Sequence, residues 1–303
     1  MTRSSVVFDR WKPRSKSSWP WRVFKKHNVE LQMIYTVFDT SSKFTYEQLG
    51  KKRADLTDLP TNHFKFDRKW EAELFTDLNE WSASHKELRN WVNLNALLTI
   101  SANLETYMST IIPLALESDI GILYGVTHRI DGVEILKRGT IDKDQFKNIA
   151  ASCTSGEWPK RISAYTKCFG VAPKYISNDV ISALEKIRKI RNDIAHAFGR
   201  DIESSRISGQ LTTKPITRLS TERLYKFQSI VWKTAKAIDA HLLHFHIGEF
   251  QALKFYHELY PTLDHSVHPN QRARILKQRI GGFGDVAAGV EFCRGLVQHY
   301  ENF

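Results

Sequence analysis

Apolar positions recur every three or four residues along most of this chain, the period of a helix with one buried face. The clearest run spans residues 88–117, where Leu94, Leu97, Leu98, Leu104, Met108, Ile111 and Ile112 fall on one stripe. Pro113 lies inside it and predicts a kink or the last turns. Residues 66–84, the stretch "KDQFKNIAAS", Trp158–Phe169 and residues 221–255 carry the same period. The tail adds the amphipathic "NQRARILKQRI", a "GGFG" turn and "DVAAGVEFCRGLVQHY". Two places break the pattern. "VELQMIYTVF", within 29–60, reads as a short β run, and "GVEILKRGTID", within 120–141, as a short strand or hairpin. No repeat of fixed period is present. The pattern predicts a mainly α fold with a helical-bundle core. It divides into a small mixed region at 1–87, a helical domain at 88–250 and a helical extension at 251–303.

One helix carries more than packing. In "EKIRKIRNDIAHAFGRD", residues 185–201, an apolar stripe of Ile187, Ile190, Ile194 and Phe198 follows from ~100° per residue. His196 falls on the opposite side, and Asn192, one turn earlier, shares its surface. Arg191 sits at the stripe's edge, where its long side chain reaches outward. Ser177 or Asn178 can cap the start, and Gly199 can end the helix in the left-handed conformation. If the Asn–His face meets a second copy, an isologous dimer doubles every residue about the axis and lines a cleft with paired Arg, Asn and His. His196 lies in the last turn, where the helix dipole favours the imidazolium. A fixed guanidinium beside a titrating imidazole suits phosphodiester cleavage: Arg191 stabilises charge on the phosphoryl oxygens while His196 moves the proton. RNA supplies its own nucleophile, the 2′-hydroxyl, so this chemistry needs no metal. Glu105 falls within or beside the stripe of the long helix. Buried, it needs a cation, and Arg191 is its natural partner if the two helices pack; at the rim, it faces water.

The charge balance extends this reading. Formal net charge is +11, which favours a polyanionic partner, RNA or DNA first. Residues 1–28 interleave Arg and Lys with Trp11, Trp19 and Trp21, either as an RNA-contacting arm or as indoles packed on the body with the cations in water. The second reading is favoured. Three widely spaced cysteines, Cys153, Cys168 and Cys293, exclude a disulfide framework and give no zinc pattern, which fits a reducing cytosol. The start has no apolar run behind its charges, so no secretory signal is expected, and no stretch is apolar enough for a membrane span. In "AHLLHFHIGEF", His241 and His244 can share a helix face, but the spacing is not HExxH and Glu249 is misplaced for a base. Solvated or core-edge histidines are the better reading, and no cofactor or metal is expected.

"RNDIAH", residues 191–196, resembles the "RNxxAH" signature of the HEPN superfamily. The upstream helix with "LETYM" and the segment "WPKRISAYTKCFG" resemble the regions that flank that motif, so the resemblance covers residues 88–250. It implies a helical bundle that dimerises through the motif helices. It also implies a metal-independent endoribonuclease of the kind found in toxin–antitoxin and antiphage systems, leaving a 2′,3′-cyclic phosphate and a 5′-hydroxyl. Arg191 and His196 would form the composite site, with Asn192 in support. One sub-group has a Tyr two residues after the His, which an antitoxin modifies; Phe198 stands there instead. Two other readings remain: a non-catalytic HEPN module that binds RNA, a nucleotide or a protein, and a DNA-binding regulator using the basic ends.

Overall fold

The computed structural model describes residues 8–139, 144–195 and 217–302. Among these residues there are eleven α-helices and no strand: α1 Trp19–Lys51, α2 Lys69–Ala72, α3 Leu78–Ser118, α4 Gly132–Arg138, α5 Asp144–Thr154, α6 Trp158–Phe169, α7 Asn178–Ala195, α8 Thr221–Leu242, α9 Phe250–Leu259, α10 Pro269–Gly282 and α11 Val290–Glu301. The chain is mainly α, as the periodicity predicts. Both expected β segments are helical. "VELQMIYTVF" lies inside α1, and "GVEILKR" is α4; an isolated bridge between Asp119 and Asp131 is the nearest thing to a strand pair. The first misreading has a physical cause. Tyr35 is buried, whereas Val29, Met33, Ile34 and Val37 are exposed, so the apolar residues of this run do not gather on one face. Pro113 sits inside α3, which continues to Ser118.

The chain forms two compact units, each assembled from separated stretches. One combines 1–23, 105–181 and 233–303; the other combines 24–104 and 182–232. α1, α3, α7 and α8 supply residues to both.

In the second unit, parts of those four helices bury Phe24, Tyr35, Leu97, Leu184, Ile187 and Phe227. Two asparagines of α3 pin the chain where it enters α8. Asn90 donates to Thr217 O (3.0 Å) and accepts from Leu219 N (2.9 Å), while Asn93 donates to Leu219 O (2.8 Å) and accepts from the Tyr35 hydroxyl (2.7 Å). Asn93→Ala takes the donor from a buried carbonyl and leaves the Tyr35 phenol with Thr221 Oγ1 (3.2 Å) alone, and should destabilise the protein by about 2 kcal/mol. A urea titration within a few tenths of wild type would contradict this.

In the first unit, α10 packs on α11, α5 on α6, and α4 on α9. The basic N-terminal segment belongs to this core. Trp21 is buried, Trp11 stacks on His128 (4.1 Å between centroids) and Trp19 meets Phe255 edge-on. Lys12, Lys16, Lys25 and Lys26 are exposed, as expected, whereas the arginines differ from the expectation of a solvated face. Arg10 pairs with Asp131 (3.0 Å), and Arg14 and Arg22 both pair with the buried Asp285 (2.8 and 3.2 Å). α8 ends in a π-helical turn, Leu243–Ile247, and Gly248 follows at φ +52°. A Cβ on Gly248 would lie 2.2 Å from the Arg10 carbonyl, so only glycine permits the close approach of these segments.

Candidate functional site

α7 forms for local reasons that are visible in its sequence. Ser177 Oγ accepts from Val180 N (3.4 Å) at its start, and Asp179 lies in the first turn, favourable to the dipole. Leu184, Ile187 and Ile194 are buried, and Ile190 is half-buried. Glu185 and Arg188, one turn apart, form a bidentate pair on the flank, with Arg188 Nε 3.1 and 3.0 Å from the two carboxylate oxygens.

Arg191 and Asn192 are brought together. Nη1 of Arg191 donates to Oδ1 of Asn192 at 3.2 Å, and both residues are half-buried. At about 100° per residue Arg191 falls between Ile187 and Leu184, so its stem shares the apolar face and its Nε is buried. Asn192 lies on the flank, and Asp193 is exposed. The amide therefore holds one edge of the guanidinium while the stem is held by burial. His196, Phe198 and Gly199 lie outside the described residues.

Glu105 is half-buried on α3 and accepts from Arg161 Nη2 of α6 at 3.3 Å. It belongs to the first unit and Arg191 to the second. Arg161 is a partner that sequence reasoning missed. It is buried, donates through Nε to Gly156 O (2.9 Å) and lies 4.9 Å from the Trp158 ring. Its signal was its register: Trp158, Arg161, Ile162 and Tyr165 occupy one face of α6, and an Arg on an apolar face needs a carboxylate.

The other titratable groups narrow the chemistry. Burial pushes the thiols of Cys153, Cys168 and Cys293 up to about 11, 12 and 11, which leaves them protonated and poor nucleophiles near neutral pH. His241 shares a hydrogen bond with the Tyr165 hydroxyl through Nδ1 (2.7 Å), and burial lowers it to about 4. His244 is exposed. His246 meets Asp119, through Nδ1 and Oδ2 at 3.0 Å. Among the described residues no helix is long and apolar enough to cross a membrane. Set against known proteins, the chain matches no family model, no curated protein and no solved structure.

Proposed function

We propose that this chain is a metal-independent endoribonuclease of the HEPN kind, a homodimer through the helix at 178–198 that acts on RNA in the cytosol as a toxin or antiphage effector. The observation that carries the reading is the Arg191–Asn192 hydrogen bond on α7, within the "RNDIAH" sequence. A guanidinium oriented by its neighbour is a preorganised cation for a phosphoryl group, and preorganisation is what makes such a charge effective in the transition state. In the proposed reaction the 2′-oxygen attacks phosphorus and the bond to O5′ breaks. One His196 takes the 2′-hydroxyl proton and the second, as imidazolium, returns one to O5′. The products are a 2′,3′-cyclic phosphate and a 5′-hydroxyl. Arg191 spreads the charge on the non-bridging oxygens, Asn192 positions Arg191, and Glu105 orients the cationic side chains packed on α3.

The test is incubation of the full-length chain with total RNA in chelator, followed by detection of cyclic-phosphate ends. Arg191→Ala and His196→Ala should each lower cleavage at least about a hundredfold and leave thermal unfolding unchanged. Cleavage at wild-type rates in both variants removes this reading. RNA bound but left intact by the wild-type chain points to the non-catalytic module instead.

A further inference from the structure

The 3₁₀ and π-helical turns of the first unit bring together three side chains that the ribonuclease reading does not use. Asp119 follows α3, His128 closes the loop after it, and His246 sits in the π-helical turn after α8. Their ligand atoms all lie within 4.8 Å of one another. Asp119 Oδ2 is 3.0 Å from His246 Nδ1 and 3.8 Å from His128 Nε2. Around a tetrahedral zinc ion with bonds near 2.0–2.1 Å, neighbouring donors are about 3.3 Å apart. The two separations from Asp119 bracket that value and the two imidazoles lie within 4.8 Å of one another, so the three donors can close on one ion by side-chain adjustment.

The surroundings are built to hold this geometry. Asp119 Oδ1 accepts from the backbone N–H of His128 (2.8 Å), which turns Oδ2 toward the two rings. The loop between them is closed by Val126 N to Gly121 O (2.9 Å) and is so tight that a Cβ on Gly121 would lie 2.1 Å from Val126 O. His128 has φ +61°, a left-handed conformation uncommon outside glycine and held here by that loop. Ser118 Oγ donates to the His246 carbonyl (2.6 Å), and Arg10 bonds both Ser118 O (2.7 Å) and Ile247 O (2.9 Å), so one cation fixes the segments that carry Asp119 and His246. π-Helical turns are rare and concentrate at functional sites.

We propose that Asp119, His128 and His246 form a zinc site with three protein ligands and an open fourth position. Two imidazoles and one carboxylate suit a borderline transition-metal ion and disfavour calcium or magnesium, which take oxygen donors. Three protein ligands are the complement of a site that keeps a place for water or substrate. Asp119 and His246 are buried, whereas the His128 side chain is 42% exposed and lines an open cleft of about 670 Å³ with Trp11, Lys12, Arg129 and Glu134. The fourth position therefore faces that cleft. In the structure His128 Nε2 hydrogen-bonds the Phe245 carbonyl (2.5 Å) and His246 Nδ1 the Asp119 carboxylate. Zinc takes the lone pair at each of these nitrogens as the proton moves to the other ring nitrogen. No part of this inference rests on the RNA reading.

The test is calorimetric titration of the chelator-treated, full-length chain with ZnCl₂ near pH 7.5, with CoCl₂ as a spectroscopic stand-in. The wild type should bind one zinc ion with micromolar affinity or tighter, and cobalt should give the intense visible bands of a four-coordinate ion. Loss of a ligand should weaken binding by more than the roughly 10–100-fold typical of an outer-shell change. His246→Ala and His128→Gln are the variants; the second removes a half-exposed ring and keeps the fold intact should the first not fold. Absence of zinc binding by the wild type, or binding unchanged in His128→Gln, overturns the site and leaves a hydrogen-bonded polar network.

Discussion

Replacing Arg10 with alanine should destabilise the protein by about 3–5 kcal/mol, the range for removing one partner of a buried, hydrogen-bonded ion pair. Only 2% of Arg10 is exposed. Its guanidinium donates to Asp131 Oδ1 from both Nε (3.2 Å) and Nη2 (3.0 Å), to Ser118 O and Oγ (2.7 and 2.8 Å) and to Ile247 O (2.9 Å), and it lies 3.7 Å from the centre of the Trp11 ring. Its own carbonyl accepts from Glu249 N (2.9 Å). Burial lowers the guanidinium's affinity for its proton and Asp131 opposes that, so the charge belongs to the pair rather than to the arginine alone. Alanine leaves a half-buried carboxylate without its cation and two buried carbonyls with fewer donors. Lysine should recover only part of the loss, because one ammonium on a flexible stem cannot reach three acceptors set in different directions. Denaturant unfolding at neutral pH reads both variants. A loss below about 1 kcal/mol for Arg10→Ala would mean that the cation behaves as a surface charge and does not tie Asp131, Ser118 and Ile247 together.

Arg10 also shows which parts of this molecule were legible in the sequence. Helices whose burial is one-sided were plain: α6 begins and ends where its period does, and α5 and α10 follow from theirs, whereas the helical pattern over 221–255 is broken after Leu242 by the π-helical turn and Gly248. α1 was not, because its apolar residues are spread around the helix and many face solvent. In the N-terminal "RWKPRSKSSWPWR" packed tryptophans are expected from the sequence, but the acids that hold the segment, Asp131, Asp239 and Asp285, lie more than a hundred residues away. No local period encodes such a pairing. Division of the chain at 87/88 and 250/251 follows composition and motif, whereas the two compact units follow contacts between distant stretches. The same distinction separates the two candidate sites. Arg191 and Asn192 are adjacent in sequence, about 100° apart on the helix, and the long guanidinium stem spans that angle to reach the amide. Asp119, His128 and His246 come from two segments 118 and more residues apart, and His246 reaches Asp119 from a π-helical turn whose direction an α-helical period does not encode.

Glu249→Gln should stabilise the protein by about 3 kcal/mol at pH 8 and change it little at pH 4. Glu249 is buried and hydrogen-bonded to the Arg14 backbone N–H, and burial raises its carboxyl from 4.5 to about 7, against the opposing Arg14 amide and charge. Between those two values the native protein holds a proton that the unfolded chain has released. Stability therefore falls as pH rises through this window and is lowest above 7, where a buried carboxylate must be ionised. Glutamine keeps the acceptor for Arg14 and has no charge to bury. His241 works in the opposite sense. Burial lowers it from 6.5 to about 4, so in that interval the unfolded chain holds the extra proton and stability rises with pH. The two effects have similar size, opposite sign and overlapping windows, so from about pH 4.5 to 6.5 they offset one another, while His85 and His299, both lowered by burial, add to the rise with pH. Removing Glu249 uncovers the histidine: Glu249→Gln should gain stability steadily across that interval and hold the gain at pH 8. Urea titrations of both proteins from pH 4 to 8 measure this directly, and a glutamine variant less stable than wild type at pH 8 would show that the carboxylate is compensated where it lies.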